Sequence, residues 1–334
     1  MIPASAELDG KSWALLFGLA FLWSVSFIFI EVAAADIPVL TLVLVRVGLA
    51  ALVLHAVVLV SRRAYPRRAG ELGRYALMGL VNNVLPFALI VYATPRIGAG
   101  AASILNATAP IFALIIAHVA TADERITLPK LAGILLGVAG VAAITGPEAV
   151  SGAAGNLLPV AAMLGATFFY GVSAVLGRTF RGSDPRTSAA CQLTASTLML
   201  APVALVVDQP WAMPLPGVEA LWAAAGLALF STALAYVVFF ALISRAGATN
   251  TVLVTLLIPI GGTVLAWLLL GESFGPGEVS GMLCIGLALA VIDGRALVLF
   301  VAVERHHLGF EVEHALLQVL DGLGHFDPRA VLLG

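Results

Sequence analysis

Charge is what this chain has least of. Asp, Glu, Lys and Arg make up 11% of its 334 residues, whereas 61% are hydrophobic. Soluble domains carry roughly 25% charged residues, so a water-facing globule is excluded. Cysteine is nearly absent: Cys191 and Cys284 both fall in apolar stretches, which excludes a disulfide framework. No Gly-x-x-x-x-Gly-Lys-[Ser/Thr] loop occurs, so this chain alone does not drive work with ATP. His-Glu-x-x-His, Gly-x-Ser-x-Gly and a mid-span carboxylate pair are missing too, which leaves an intramembrane enzyme without its reacting groups. The net charge of −2 gives no reason to expect nucleic acid as a partner.

What is present is a series of ten long apolar stretches, each near the ~20 residues that cross ~30 Å of hydrocarbon as a helix. Their charged or Pro/Gly-rich breaks place the first five at 13–34, 38–60, 72–93, 97–120 and 128–146. The second five fall at 157–180, 185–207, 218–243, 248–270 and 277–292. The first stretch lacks a small-residue cleavage site and is long enough to span, so it reads as a helix and not a signal peptide. The fold class expected is an all-α polytopic membrane protein. Its environment is the lipid bilayer.

Short cytoplasmic loops collect Lys and Arg. With the N-terminus inside, fifteen of the seventeen fall on the cytoplasmic side, Arg96 falls outside and Arg46 lies within a span. Both termini are therefore expected in the cytoplasm.

The chain also repeats itself. A slide of 147 residues sets Gly18 on Gly165, Phe21 on Phe168, Ser26 on Ser173 and Pro38 on Pro185. A slide of 149 sets Leu80 on Leu229, Arg96 on Arg245, Gly98 on Gly247 and Pro110 on Pro259. Each half holds five expected helices, and an odd number makes the second half enter the membrane inverted. The expected units are 12–146 and 157–295, followed by 296–334 as a cytoplasmic tail, flexible or appended. Inverted repeats of this kind build secondary transporters, with cargo bound near the midplane between the halves.

The ten spans, the five-plus-five repeat and two matching runs carry a resemblance. The runs are Arg96-Ile-Gly-Ala through Pro110 to Asp123-Glu124, and Arg245-Ala-Gly-Ala through Pro259 to Gly271-Glu272. Over roughly residues 12–295 the chain resembles the EamA-type ten-helix exporters of the drug/metabolite transporter superfamily, and within them the bacterial YddG branch. The resemblance implies inner-membrane export of aromatic and other neutral amino acids. Sugar-phosphate carriage, the other prominent cargo class of the superfamily, would need several buried cations, and only Arg46 is available. A proton-coupled drug exporter is the remaining alternative.

Polar and aromatic residues midway along apolar helices are candidates for the wall of a cargo cavity. They are Trp23 and Ser26 on helix 1, Asn82 and Asn83 on helix 3, and Asn106 on helix 4. The second half adds Tyr170 and Ser173 on helix 6, Ser231, Thr232 and Tyr236 on helix 8, and Thr255 on helix 9. Most intramembrane Ser and Thr simply bond their own helix, whereas an amide is costlier to leave unpaired. Helices 1, 3, 4, 6, 8 and 9 are thus expected around the cavity, with 2, 5, 7 and 10 peripheral.

Pro110 and Pro259 remove internal hydrogen bonds and are expected to act as hinges. Arg46 must face the interior and have a partner; Glu31, across a tight turn, is the expected structural ion pair, and a substrate carboxylate the alternative. Gly133 and Gly137 form a GxxxG expected to pack helices within one chain, with a dimer as the lesser use. His55 and His118 read as packing residues, and the four tail histidines lack metal-ligand spacing. The expected partner is one small-molecule substrate, without cofactor or metal. All Asp and Glu sit in loops, tails or span ends, which favours gradient-driven movement over proton antiport.

Overall fold

The computed structural model describes residues 9–66, 69–121, 126–145, 157–180, 182–251 and 254–293. The described residues are almost wholly helical and contain no strand. Seven helices are long and apolar enough to cross a membrane: α1 (Gly10–Ala33), α2 (Val39–Val60), α3 (Gly70–Ile97), α4 (Ala99–Ala120), α6 (Leu157–Phe180), α7 (Pro185–Val207) and α8 (Val218–Arg245). Three more are α5 (Leu128–Thr145), α9 (Val254–Leu270) and α10 (Pro276–Asp293). Their apolar stretches are shorter. The expected tail, 296–334, lies outside the described residues.

The surface is apolar as well as the core. Leu52, Val60, Leu135, Trp222 and Leu268 are all exposed. In water this would be an aggregating patch; against acyl chains it costs nothing.

Helix ends are fixed by carboxylates, several borrowed from distant parts of the chain. Asp9 caps α1, accepting from the Ser12 N–H at 2.9 Å. Ser12, by side chain and backbone, holds the Asp9 carboxyl below its ordinary range. Pro185 opens α7 behind Asp184, which accepts from the Arg186 and Thr187 N–H groups at 3.1 Å each. The start of α2 has no cap of its own, because Pro38 offers none. Asp208, at the end of α7, accepts instead from Thr41 N–H at 2.7 Å and its hydroxyl at 2.9 Å. Between α3 and α4 the chain turns at Gly98, with φ of 84°. There Glu272 accepts from the Ala99 and Gly100 N–H groups at 2.8 and 3.1 Å. Each such cap satisfies orphan donors that lipid could not.

Packing partners follow a pattern. Helix α1 lies against α8 and α9, whereas α6 lies against α3 and α4; α2 pairs with α7, and α5 with α10. Exchanging each helix for the one five places away leaves this pattern unchanged. Glycine permits the closest approaches. A Cβ on Gly261 would sit 2.4 Å from Ser24 Oγ, and one on Gly171 would sit 2.9 Å from the Ala113 nitrogen. Between α5 and α10, Cβ atoms on Gly140 and Gly281 would come within 2.9 and 2.7 Å of each other's carbonyl oxygens. Gly137 faces Ile111 and Ala288, so this member of the expected GxxxG is used inside the chain.

Candidate functional site

Two of the long helices are interrupted at matching places. Residues Leu80–Val84 of α3 and Leu229–Leu234 of α8 are π-helical. The extra residue per turn spoils the regular ladder and is frequently found at functional sites. These segments carry Asn82 and Asn83 in one helix, and Ser231 and Thr232 in the other. In α8 the Thr232 hydroxyl donates to Leu227 O, five residues back, at 2.9 Å.

The amides join a closed network with the second half of the chain. The Tyr236 hydroxyl accepts from Asn82 Nδ2 at 3.2 Å and from Gln192 Nε2 at 3.3 Å, and donates to Asn83 Oδ1 at 3.3 Å. Asn83 Nδ2 donates to Ser196 Oγ at 3.1 Å. Ser173 Oγ donates to Asn82 Oδ1 at 2.9 Å. Asn83 is 0% exposed. The cost of placing these amides in hydrocarbon is thus met by one another. Gln192 and Ser196 were missed by sequence reasoning, which set helix 7 at the periphery. The desolvation argument applied to Asn82 applies equally to a glutamine inside a 23-residue apolar helix, and was the available signal.

Arg46 sits beside this network, 6% exposed. Its Nε donates to Thr232 Oγ1 at 2.9 Å, and its guanidinium lies over the Phe87 ring, 3.6 Å from the centroid. Tyr170 and Tyr236 are within electrostatic range of it. Neither terminal guanidinium nitrogen has a partner among the described residues. The expected Arg46–Glu31 ion pair is therefore corrected. Glu31 lies within one turn of the end of α1, while Arg46 lies about two turns into α2, a mismatch in depth of roughly 7 Å at 1.5 Å per residue. Glu31 Oε2 is buried without a hydrogen-bond partner.

The other expected residues divide. Trp23 leans on Phe239, with ring centroids 5.7 Å apart. Ser26 bonds its own helix at Trp23 O, 2.5 Å, so its hydroxyl is spent locally. Asn106 Oδ1 and Ser231 Oγ are buried acceptors without a partner among the described residues. Thr255 lies on α9 one turn before Pro259. The two prolines differ: Pro110 follows a break at Ala107–Thr108, where i→i−3 bonds of 3.1 and 3.0 Å replace the α ladder, while Pro259 is accommodated inside a continuous helix. His55 is engaged on both ring nitrogens, 2.7 Å from Tyr65 OH and 2.7 Å from Thr194 Oγ1.

Chemically, a planar, fixed cation with free donors beside a hydrogen-bonded wall of amides is suited to hold an anion, and among the described residues no group of His, Cys, Asp and Glu could hold a metal. A solved crystal structure of a protein 17% identical to this chain superposes with a TM-score of 0.60, covering 85% of this chain and 96% of the other, so the fold has been seen before. YoaV, an uncharacterized transporter of Bacillus subtilis strain 168, is 23% identical over 279 residues, which is 81% of this chain and 94% of the relative. An uncharacterized transporter of Archaeoglobus fulgidus is 22% identical over 285 residues, covering 84% and 99%. The model of the EamA-like transporter family matches twice, at residues 11–146 and 157–292. The chain, a multi-pass membrane protein by its apolar helices, belongs to the EamA-like transporter family.

Proposed function

We propose that this transporter exports neutral and aromatic amino acids across a bacterial inner membrane, recognising the cargo carboxylate with Arg46. The observation that carries the reading is the guanidinium itself. Thr232 and Phe87 fix its plane, and its terminal donors remain available for the two oxygens of one carboxylate. A second buried cation, needed to hold a phosphoryl group of higher charge, is not found among the described residues. Asn106 Oδ1 and Ser231 Oγ offer acceptors to an ammonium group.

The architecture proposed around this site is ten spans in two inverted five-helix repeats, 12–146 and 157–295, with both termini in the cytoplasm. The double family match, the matching π-helical segments and the interchangeable packing pattern support it. Access alternates as helices rock about the site, with the break before Pro110 and the proline-weakened turn at Pro259 as hinges. The resemblance of the sequence to the YddG branch is the ground for the choice of cargo.

The test is uptake of radiolabelled amino acids by proteoliposomes. Free amino acids should compete, and their methyl esters should compete at least tenfold more weakly. Arg46→Gln should abolish uptake and Arg46→Lys should retain a trace, since a point charge lacks the fork. Equal competition by esters and free acids would sink the carboxylate reading.

A further inference from the structure

We propose that the α2–α3 and α6–α7 loops together form a docking surface for anionic phospholipid headgroups. These loops are far apart in sequence, yet five contacts join them and their adjoining helix ends at one end of the bundle. Arg63 Nε lies 3.5 Å from Asp184 Oδ2, and Arg186 donates to Ser61 Oγ at 3.2 Å. Arg74 donates to Thr179 O and lies over the Phe180 ring, 5.0 Å from its centroid. Tyr75 packs on the same ring at 5.2 Å.

The patch so formed is basic. Its described residues include Arg62, Arg63, Arg74, Arg178 and Arg186 against Glu71 and Asp184, a net positive charge. Arg62, Arg63 and Arg74 are exposed. The general bias of loop charges toward one membrane face accounts for arginines on this side; it does not require two separate loops to bring theirs into one surface.

Position identifies the occupant. The patch sits where four membrane-crossing helices, α2, α3, α6 and α7, end together, with the Tyr65 ring 36% exposed beside it. Tyrosine rings at helix ends mark headgroup depth. At that depth the abundant anion is the phosphodiester of the surrounding lipid, which clusters of arginine hold by charge and hydrogen bonds.

The full-length protein, purified in neutral detergent, would be titrated with phosphatidylglycerol or phosphatidylcholine and its retained lipid counted by native mass spectrometry. Retention of phosphatidylglycerol should be at least tenfold the greater, and should fall with added salt. Replacing Arg62 and Arg63 by Gln should cut the preference about fivefold per residue, and replacing them by Lys should keep it. Equal retention of the two lipids by the wild-type protein would overturn the proposal even if the variants fail to fold. So would displacement of the lipid by equimolar glycerol phosphate, which would mark a solute site.

Discussion

At the scale of single residues, the polar side chains fall into those that are spent and those that are free. The Tyr236 hydroxyl uses its proton and both lone pairs, so it holds the wall together and has nothing left for cargo. Asn83, fully buried, links it to Ser196. Asn83→Ala should therefore cost about 1–3 kcal/mol of stability, because Tyr236 and Ser196 each lose one partner in a dry interior. The thermal midpoint of the purified variant checks this, and an unchanged midpoint would show that the network is dispensable. Tyr170 differs: its hydroxyl has no hydrogen-bond partner among the described residues. Tyr170→Phe should leave the midpoint alone and raise the KM for cargo. Both amides and Arg46 were legible in the sequence because isolated polarity in hydrocarbon is expensive. The partner of Arg46 was not, because nearness in sequence says nothing about depth along two antiparallel helices.

At the scale of elements, the π-helical segments matter most. A π segment amounts to one extra residue in an α-helix, so removing one residue restores the ladder and leaves the flanking turns in register. Deleting Leu234 should keep the protein folded, with unchanged helical circular dichroism. The bond from Arg46 to Thr232 should be lost, and transport should fall at least tenfold. Full activity in the deletion would show that the interruption has no part in transport. Neither segment was legible beforehand. LVNNV and LFSTAL contain no Gly or Pro to mark an interruption. A kink was expected at both Pro110 and Pro259; the chain breaks only before Pro110, because a proline can also be carried within a continuous helix, as Pro259 is.

At the scale of the molecule, matching prolines, arginines and glycines suggested the repeat proposed above, but not which helices pack together. A reading in which one repeat rocks against the other would set α1 moving with α3 and α4; instead α1 packs on α8 and α9, and α6 on α3 and α4. The moving bodies are therefore expected to mix helices from both halves. A cysteine cross-link between α1 and α9 beside the Ser24 Oγ–Ile258 O hydrogen bond of 3.0 Å, inside one such body, should leave transport intact. Loss of transport on oxidation, restored by reductant, would place the two helices in different bodies. Movement should also need no proton gradient, because among the described residues the groups around Arg46 are Thr232, Phe87, Tyr170 and Tyr236, with no carboxylate. Proteoliposomes should carry cargo down its own gradient in either direction, unaffected by a protonophore. Concentration of cargo by an imposed pH difference alone would show coupling.

The exchange of α1 and α6 between halves also bears on how the protein is made. About 240 residues separate the end of α1 from the end of α9, so at about 5–20 residues per second α1 waits roughly 10 to 50 s in the bilayer before its partner is synthesised. During that interval the face that will meet α9 is open to lipid, to insertion chaperones and to quality-control proteases. Neither half completes its own core, so each expressed alone should be degraded, while the two expressed together should rescue one another.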